Sequence, residues 1–173
     1  VSFYGKLAHG LTRDTFIGGE GSCLVSSDGL GRDTYLPPCS SGNGFFLQTL
    51  RRLMVQDWDM DDDGTPDTLR LMFATPRRWL EDGKSITFAK APTAFGDVSI
   101  EMHSDLAHGK VTAKLTCPPH APKSMKLRAR VPDGWKVDSA SLGGRKLDVD
   151  SQGTVDITGQ TGRITVTFSV SRA

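Results

Sequence analysis

The chain reads as mainly β, an antiparallel β-sandwich over residues 69–173 preceded by one or two helices and long loops over residues 1–68. Three observations predict this. Apolar residues in the second half recur at every second position, the period of a strand with one buried face. Turn-forming residues separate those runs at short intervals. In the first half only Phe45, Phe46, Leu50, Leu53 and Met54 recur at helical spacing.

In chain order, a glycine-rich segment, Thr15-Phe16-Ile17-Gly18-Gly19-Glu20-Gly21-Ser22, leads into an irregular stretch through Gly29, Gly31, Pro37 and Pro38. Long ordered loops of this kind usually serve a site or pack on something else. Ser40-Ser41-Gly42-Asn43 can cap the free N–H groups of a starting helix, which the spacing predicts from about Gly44 to Gln56. The strands follow: Val98-Ile100-Met102, Val111-Ala113-Leu115-Cys117, Met125-Leu127-Ala129-Val131 and Ile164-Val166-Phe168-Val170. Ala107-His108-Gly109, Pro132-Asp133-Gly134, Gly143-Gly144 and Gly159 to Gly162 supply the turns, giving about eight to nine strands of a sandwich. Val111, Leu115, Leu127, Ala129, Ile164, Val166 and Phe168 are expected to face inward, because a one-residue slip of register would expose the whole apolar set. Lys126, Arg128 and Arg130 alternate with apolar residues and belong on the wet face. His103 lies off the apolar face and His108 abuts a turn glycine, so both are read as surface residues.

Between helix and strands, residues 57–67 carry six carboxylates in a chain whose formal net charge is +1. From Asp59 the spacing is D-x-D-x-D-G-x-x-D, placing carboxylate oxygens at loop positions 1, 3, 5 and 9. Ca²⁺ takes six to eight oxygen ligands, and a glycine at position 6 lets the backbone turn around it. Position 12 is Arg70 where an EF-hand needs a bidentate Glu, which argues against a helix-loop-helix EF-hand. The segment resembles instead the short calcium loop of integrin-type hairpins, with Asp59, Asp61, Asp63, the Thr65 carbonyl and Asp67 as ligands, and Asp57 and Asp62 facing water. A solvated acidic turn is the alternative.

Charged residues make up 24% of the chain and nearly balance, which argues against a nucleic-acid or anionic-membrane partner. No apolar run is long enough to span a bilayer. The three cysteines form neither a C-x-x-C pair nor a zinc pattern. Cys117 closes a strand and reads as core. Cys23 and Cys39 flank a Gly/Ser-rich loop and are open to either a disulfide or two free thiols. The histidines lack metal-ligand spacing, and neither a G-x-S-x-G elbow nor a phosphate loop occurs.

The order of motifs carries a resemblance. Thr12-Arg13-Asp14-Thr15-Phe16-Ile17-Gly18-Gly19-Glu20-Gly21 is followed by Pro37-Pro38-Cys39-Ser40-Ser41-Gly42-Asn43, a helix, the acidic loop, Leu71-Met72-Phe73-Ala74-Thr75-Pro76-Arg77-Arg78-Trp79-Leu80-Glu81-Asp82-Gly83-Lys84 and Ala91-Pro92-Thr93-Ala94-Phe95-Gly96. This resembles the C-terminal end of bacterial glycoside hydrolases built on a six-hairpin α/α toroid, of the α-L-rhamnosidase-like kind, where the last barrel helix feeds a β-sandwich. The resemblance implies that residues 1–68 end a toroid-like domain and that the chain is a segment of a longer or multi-chain enzyme, inactive alone. Its partners would be carbohydrate and the remaining N-terminal region or another chain, outside the cell or in the periplasm. It further implies that Glu20 stands where a general base acts, activating water opposite a carboxylic acid that protonates the leaving oxygen. Arg13, Asp14, Tyr35 and Trp79 are weaker candidates for sugar contact, the two aromatics by stacking. A non-catalytic glycan-binding module and a calcium-stabilised structural module are the other readings.

Overall fold

The computed structural model describes residues 40–173 and is mainly β, a helix followed by two packed sheets. Helix α1 (Ser40–Met54) ends in Arg51 and Arg52, whose positive charges suit the negative end of the helix dipole. The sequence predicts two further helical residues, but Val55 and Gln56 pair with Leu71 and Arg70 instead. The carbonyls of Leu53 and Met54 accept the N–H groups of Ala74 (3.1 Å) and Met72 (2.6 Å), so residues just after the strand Thr68–Leu71 satisfy the last two helical carbonyls. Of the predicted helix face, Phe46, Leu50, Leu53 and Met54 are half-buried, whereas Phe45 is exposed.

The chain divides into two compact units between Arg52 and Leu53 rather than after residue 68. The acidic loop therefore belongs with the sandwich. The physical reason is β1 (Val55–Trp58), which pairs antiparallel with β2 (Thr68–Leu71) and makes the loop a hairpin connection.

After β2 come β3 (Ser85–Ala91), β4 (Val98–Asp105), β5 (Lys110–Thr116), β6 (Ser124–Arg128), β7 (Trp135–Leu142), β8 (Arg145–Leu147), β9 (Thr154–Asp156) and β10 (Arg163–Arg172). One sheet has the order β1-β2-β6-β9 and the other β3-β4-β5-β10-β7-β8. Pairings are antiparallel except β2 with β6, which is parallel because the chain builds β3 to β5 in the opposite sheet before returning in the same direction.

The period-two pattern sorts the side chains as expected. Val111, Leu115, Leu127, Ala129, Val166 and Phe168 are buried, and Ile164 packs on the core while half-buried. Leu69, Leu71, Met125 and Val155 come from the four-stranded sheet, and Ile100, Met102, Ala113 and Ala140 from the six-stranded one. The buried Ser104 hydroxyl donates to the Leu80 carbonyl (2.8 Å), so its polarity is matched. Gly153 holds φ +76° with the Ala129 carbonyl only 2.8 Å from where a Cβ would stand, which restricts that turn to glycine. Cys117 is buried and free, and burial pushes its thiol pKa up.

Both histidines expected at the surface are there. His103 pairs with the Ser85 hydroxyl (2.9 Å), and His108 pairs with the Asp105 carboxylate (2.7 Å), which raises the imidazole above its ordinary value. The charged pair thus contributes below pH 6.5 and is lost as pH rises through the raised folded value, a small effect at so exposed a site.

Candidate metal centre

The β1–β2 hairpin fixes the ends of the acidic loop. Trp58 opposes Thr68, and the Asp67 N–H donates to the Trp58 carbonyl (2.9 Å). Inside the loop the carboxylates fold the backbone around themselves. Asp59 accepts the N–H groups of Asp63 (3.3 Å) and Gly64 (2.8 Å), one through each oxygen, and Asp63 accepts that of Thr65 (2.8 Å). Such turns are the usual work of an aspartate beside its own backbone. They need positive φ at Asp62 (59°) and Gly64 (87°).

The outcome is convergence. One carboxylate oxygen from each of Asp59, Asp61 and Asp63 lies within 4.8 Å of the other two. Oxygens bound to one Ca²⁺ at about 2.3–2.6 Å are at most about 5 Å apart, so the three sit at the mutual distances of a shared coordination shell. The group is exposed enough to admit a hydrated ion, and these three residues can hold a metal.

Asp67 is placed differently from the other three. It is buried, accepts the Met60 N–H through Oδ1 (3.3 Å), and lies outside the three-carboxylate group. Its task in this arrangement is to close the hairpin. With Thr65 and Asp63 it lines an adjacent cleft of about 270 Å³ that also includes Phe95 and Lys123. Asp62 faces water as expected. Asp57 does not: it is half-buried, and its carboxylate accepts the Ala94 N–H (3.0 Å), tying the end of β1 to the loop before β4.

Lys123, just before β6, is the residue that sequence reasoning missed. Its ammonium donates to Asp61 (2.6 Å) and lies 3.9 Å from Asp67. Nothing near the hairpin in sequence announces it, because β6 reaches the loop only through its parallel pairing with β2. The lysine holds the Asp61 carboxyl below its ordinary pKa, and Asp61 raises the lysine in return. The Asp61 part of this stabilisation is present above pH 3.8 and lost as pH falls through the lowered folded value; the Lys123 part is present below pH 10.5 and lost as pH rises through the raised one. The pair is therefore intact at neutral pH, where the ammonium competes with a cation for the Asp61 carboxylate. Lys123→Met should then tighten the binding of a divalent cation at this group by roughly threefold to tenfold, since it removes a competing charge at an exposed site. Calorimetric titration checks this, and unchanged or weaker binding would remove Lys123 from the site.

Glu20, Arg13, Asp14 and Tyr35, like Cys23 and Cys39, lie outside the described residues. Trp79 is described. It sits in a short 3₁₀ turn, Arg77–Leu80, half-buried against the core, a packing position rather than an open stacking platform. No helix among the described residues is long and apolar enough to cross a membrane. Set against known protein families, curated proteins and solved structures, the chain matches none.

Proposed function

We propose that the chain is the C-terminal segment of a carbohydrate-active glycoside hydrolase, inactive alone, whose β-sandwich is a non-catalytic support. The observation that carries this reading is the direct passage from α1 into β1, Met54 to Val55, with the sandwich satisfying the last helical carbonyls. A helix running without a linker into a sandwich is the order the sequence resemblance implies. In the intact enzyme Glu20 is the general base, its flanking glycines allowing close approach to a sugar. Glu20→Gln keeps the size but cannot take a proton, so it should lower hydrolysis by about 10²–10⁴-fold without loss of folding. The test is the intact mass of the native protein followed by turnover of that variant. A native mass equal to this chain with no partner, or an unchanged turnover number, would refute the reading.

A second reading rests on the convergent carboxylates. The metal at Asp59, Asp61 and Asp63 is Ca²⁺, and it stabilises the sandwich whatever the parent protein does. A flexible loop with many oxygens does not enforce the tight octahedron Mg²⁺ demands. Exposure of the site and competition from Lys123 suit the weak affinities, about 10⁻⁴–10⁻³ M, of extracellular calcium modules, which supports a location outside the cell or in the periplasm.

A further inference from the structure

The outer face of the four-stranded sheet carries more basic than acidic side chains, with Asp156 in register beside Lys126 and Asp150 close to Arg128. Across it Gln56, Arg70, Lys126 and Asp156 stand in register, with Arg128 opposite Thr154. Lys126 is exposed as the sequence predicts for a wet face, but Arg70, Arg128 and Arg130 are half-buried. Aromatic rings do the covering: the Arg70 guanidinium lies 5.2 Å from the Trp58 ring centre and 5.6 Å from that of Phe73, and Arg128 lies 4.1 Å from the Phe73 ring. Their hydrogen bonds go to neutral atoms. Arg70 donates to the Met60 sulfur (3.0 Å), Arg128 to the Thr154 hydroxyl (2.8 Å) and Arg130 to the Phe73 carbonyl (2.9 Å). The Arg130 Nε is buried with no partner, a cost proteins seldom leave uncompensated. None of the three arginines pairs with a carboxylate among the described residues. The face's own acid, Asp156, accepts the Thr158 N–H (2.8 Å). Desolvation lowers the Arg128 pKa, Asp150 opposes it, and the like charges of Arg70 and Arg77 add to the lowering; desolvation with Arg77 and Arg128 lowers that of Arg130, so these guanidiniums crowd one another.

We infer that this face binds an acidic saccharide, a chain of uronate units whose carboxylates meet Arg70, Lys126 and Arg128 while a sugar ring lies on Trp58. Guanidiniums held beside aromatic rings present forked donors suited to carboxylate. Trp58 is 49% exposed, leaving ring surface for the apolar face of a sugar. The choice of a saccharide over another polyanion rests on the carbohydrate reading above; the charge argument stands without it.

The experiment titrates the full chain with an oligogalacturonate, a neutral glucan oligomer of equal length and poly-L-glutamate. Binding of the uronate oligomer alone is expected, weakening at least about tenfold in Arg128→Gln and in Arg70→Gln and falling as salt rises from 50 to 200 mM. Lys126→Gln, at an exposed position, should show a smaller loss and keeps the test open if an arginine variant does not fold. No binding of the uronate, or binding that all three variants retain, overturns the inference. Poly-L-glutamate binding as tightly as the uronate also overturns it, assigning the face to an acidic protein. The native mass decides the glycosidase reading separately, so the two can fail independently.

Discussion

Phe168→Ala should destabilise the sandwich by about 3–5 kcal/mol, the usual loss for removing a fully buried aromatic ring. Phe168 is 0% exposed and lies on β10, which pairs with β5 on one side and β7 on the other. Its register partners are Val111 and Ala140, and the small alanine makes room for the ring. Both flanking strands are fixed by their own pairings, so the cavity cannot easily close and the cost should fall at the high end. Urea denaturation followed by tryptophan fluorescence measures it. A loss below about 1 kcal/mol would mean that β10 is not the centre of the core.

That strand also shows why the sandwich is legible in the sequence. Ile164, Val166, Phe168 and Val170 alternate with Thr165, Thr167 and Ser169, and a strand with one wet face permits no other arrangement once paired. Where burial is not periodic the reading weakens. Asp57 has the look of a solvated acid, yet its carboxylate meets the Ala94 N–H across thirty-seven residues of chain, a contact set by how the sheets pack. Arg128 and Arg130 follow the same alternation as Lys126 but are half-buried because Phe73, beyond the end of β2, folds over that face. The acidic loop divides along the same line. Local turns bring Asp59, Asp61 and Asp63 together and are readable from spacing, whereas Lys123 arrives through a parallel strand pairing that no local pattern encodes.

Calcium should raise the melting temperature of the chain, and chelation should lower it again. An ion that binds only the folded form stabilises it by RT ln(1 + [L]/Kd), about 2.7 kcal/mol at a hundredfold excess over Kd. For a unit of this size that is a shift on the order of 10 °C. Asp63→Ala should abolish the response twice over, removing one of three converging ligands and the acceptor that holds the Thr65 N–H. Asp62→Asn, which tolerates the left-handed backbone (φ 59°) at this exposed residue outside the group, should leave the response unchanged apart from a small fall in loop charge. A melt indifferent to EDTA, or an Asp62 variant as insensitive as the Asp63 variant, would return the loop to a solvated acidic turn.

The most direct measurement is a crystal structure of the chain grown in calcium, with the ion identified by its anomalous scattering. A single ion is predicted between Asp59, Asp61 and Asp63, at oxygen distances of about 2.3–2.6 Å. The Lys123 ammonium should have withdrawn from Asp61 to make way for it. An ordered loop with no ion and the lysine still hydrogen-bonded to Asp61 would contradict the account.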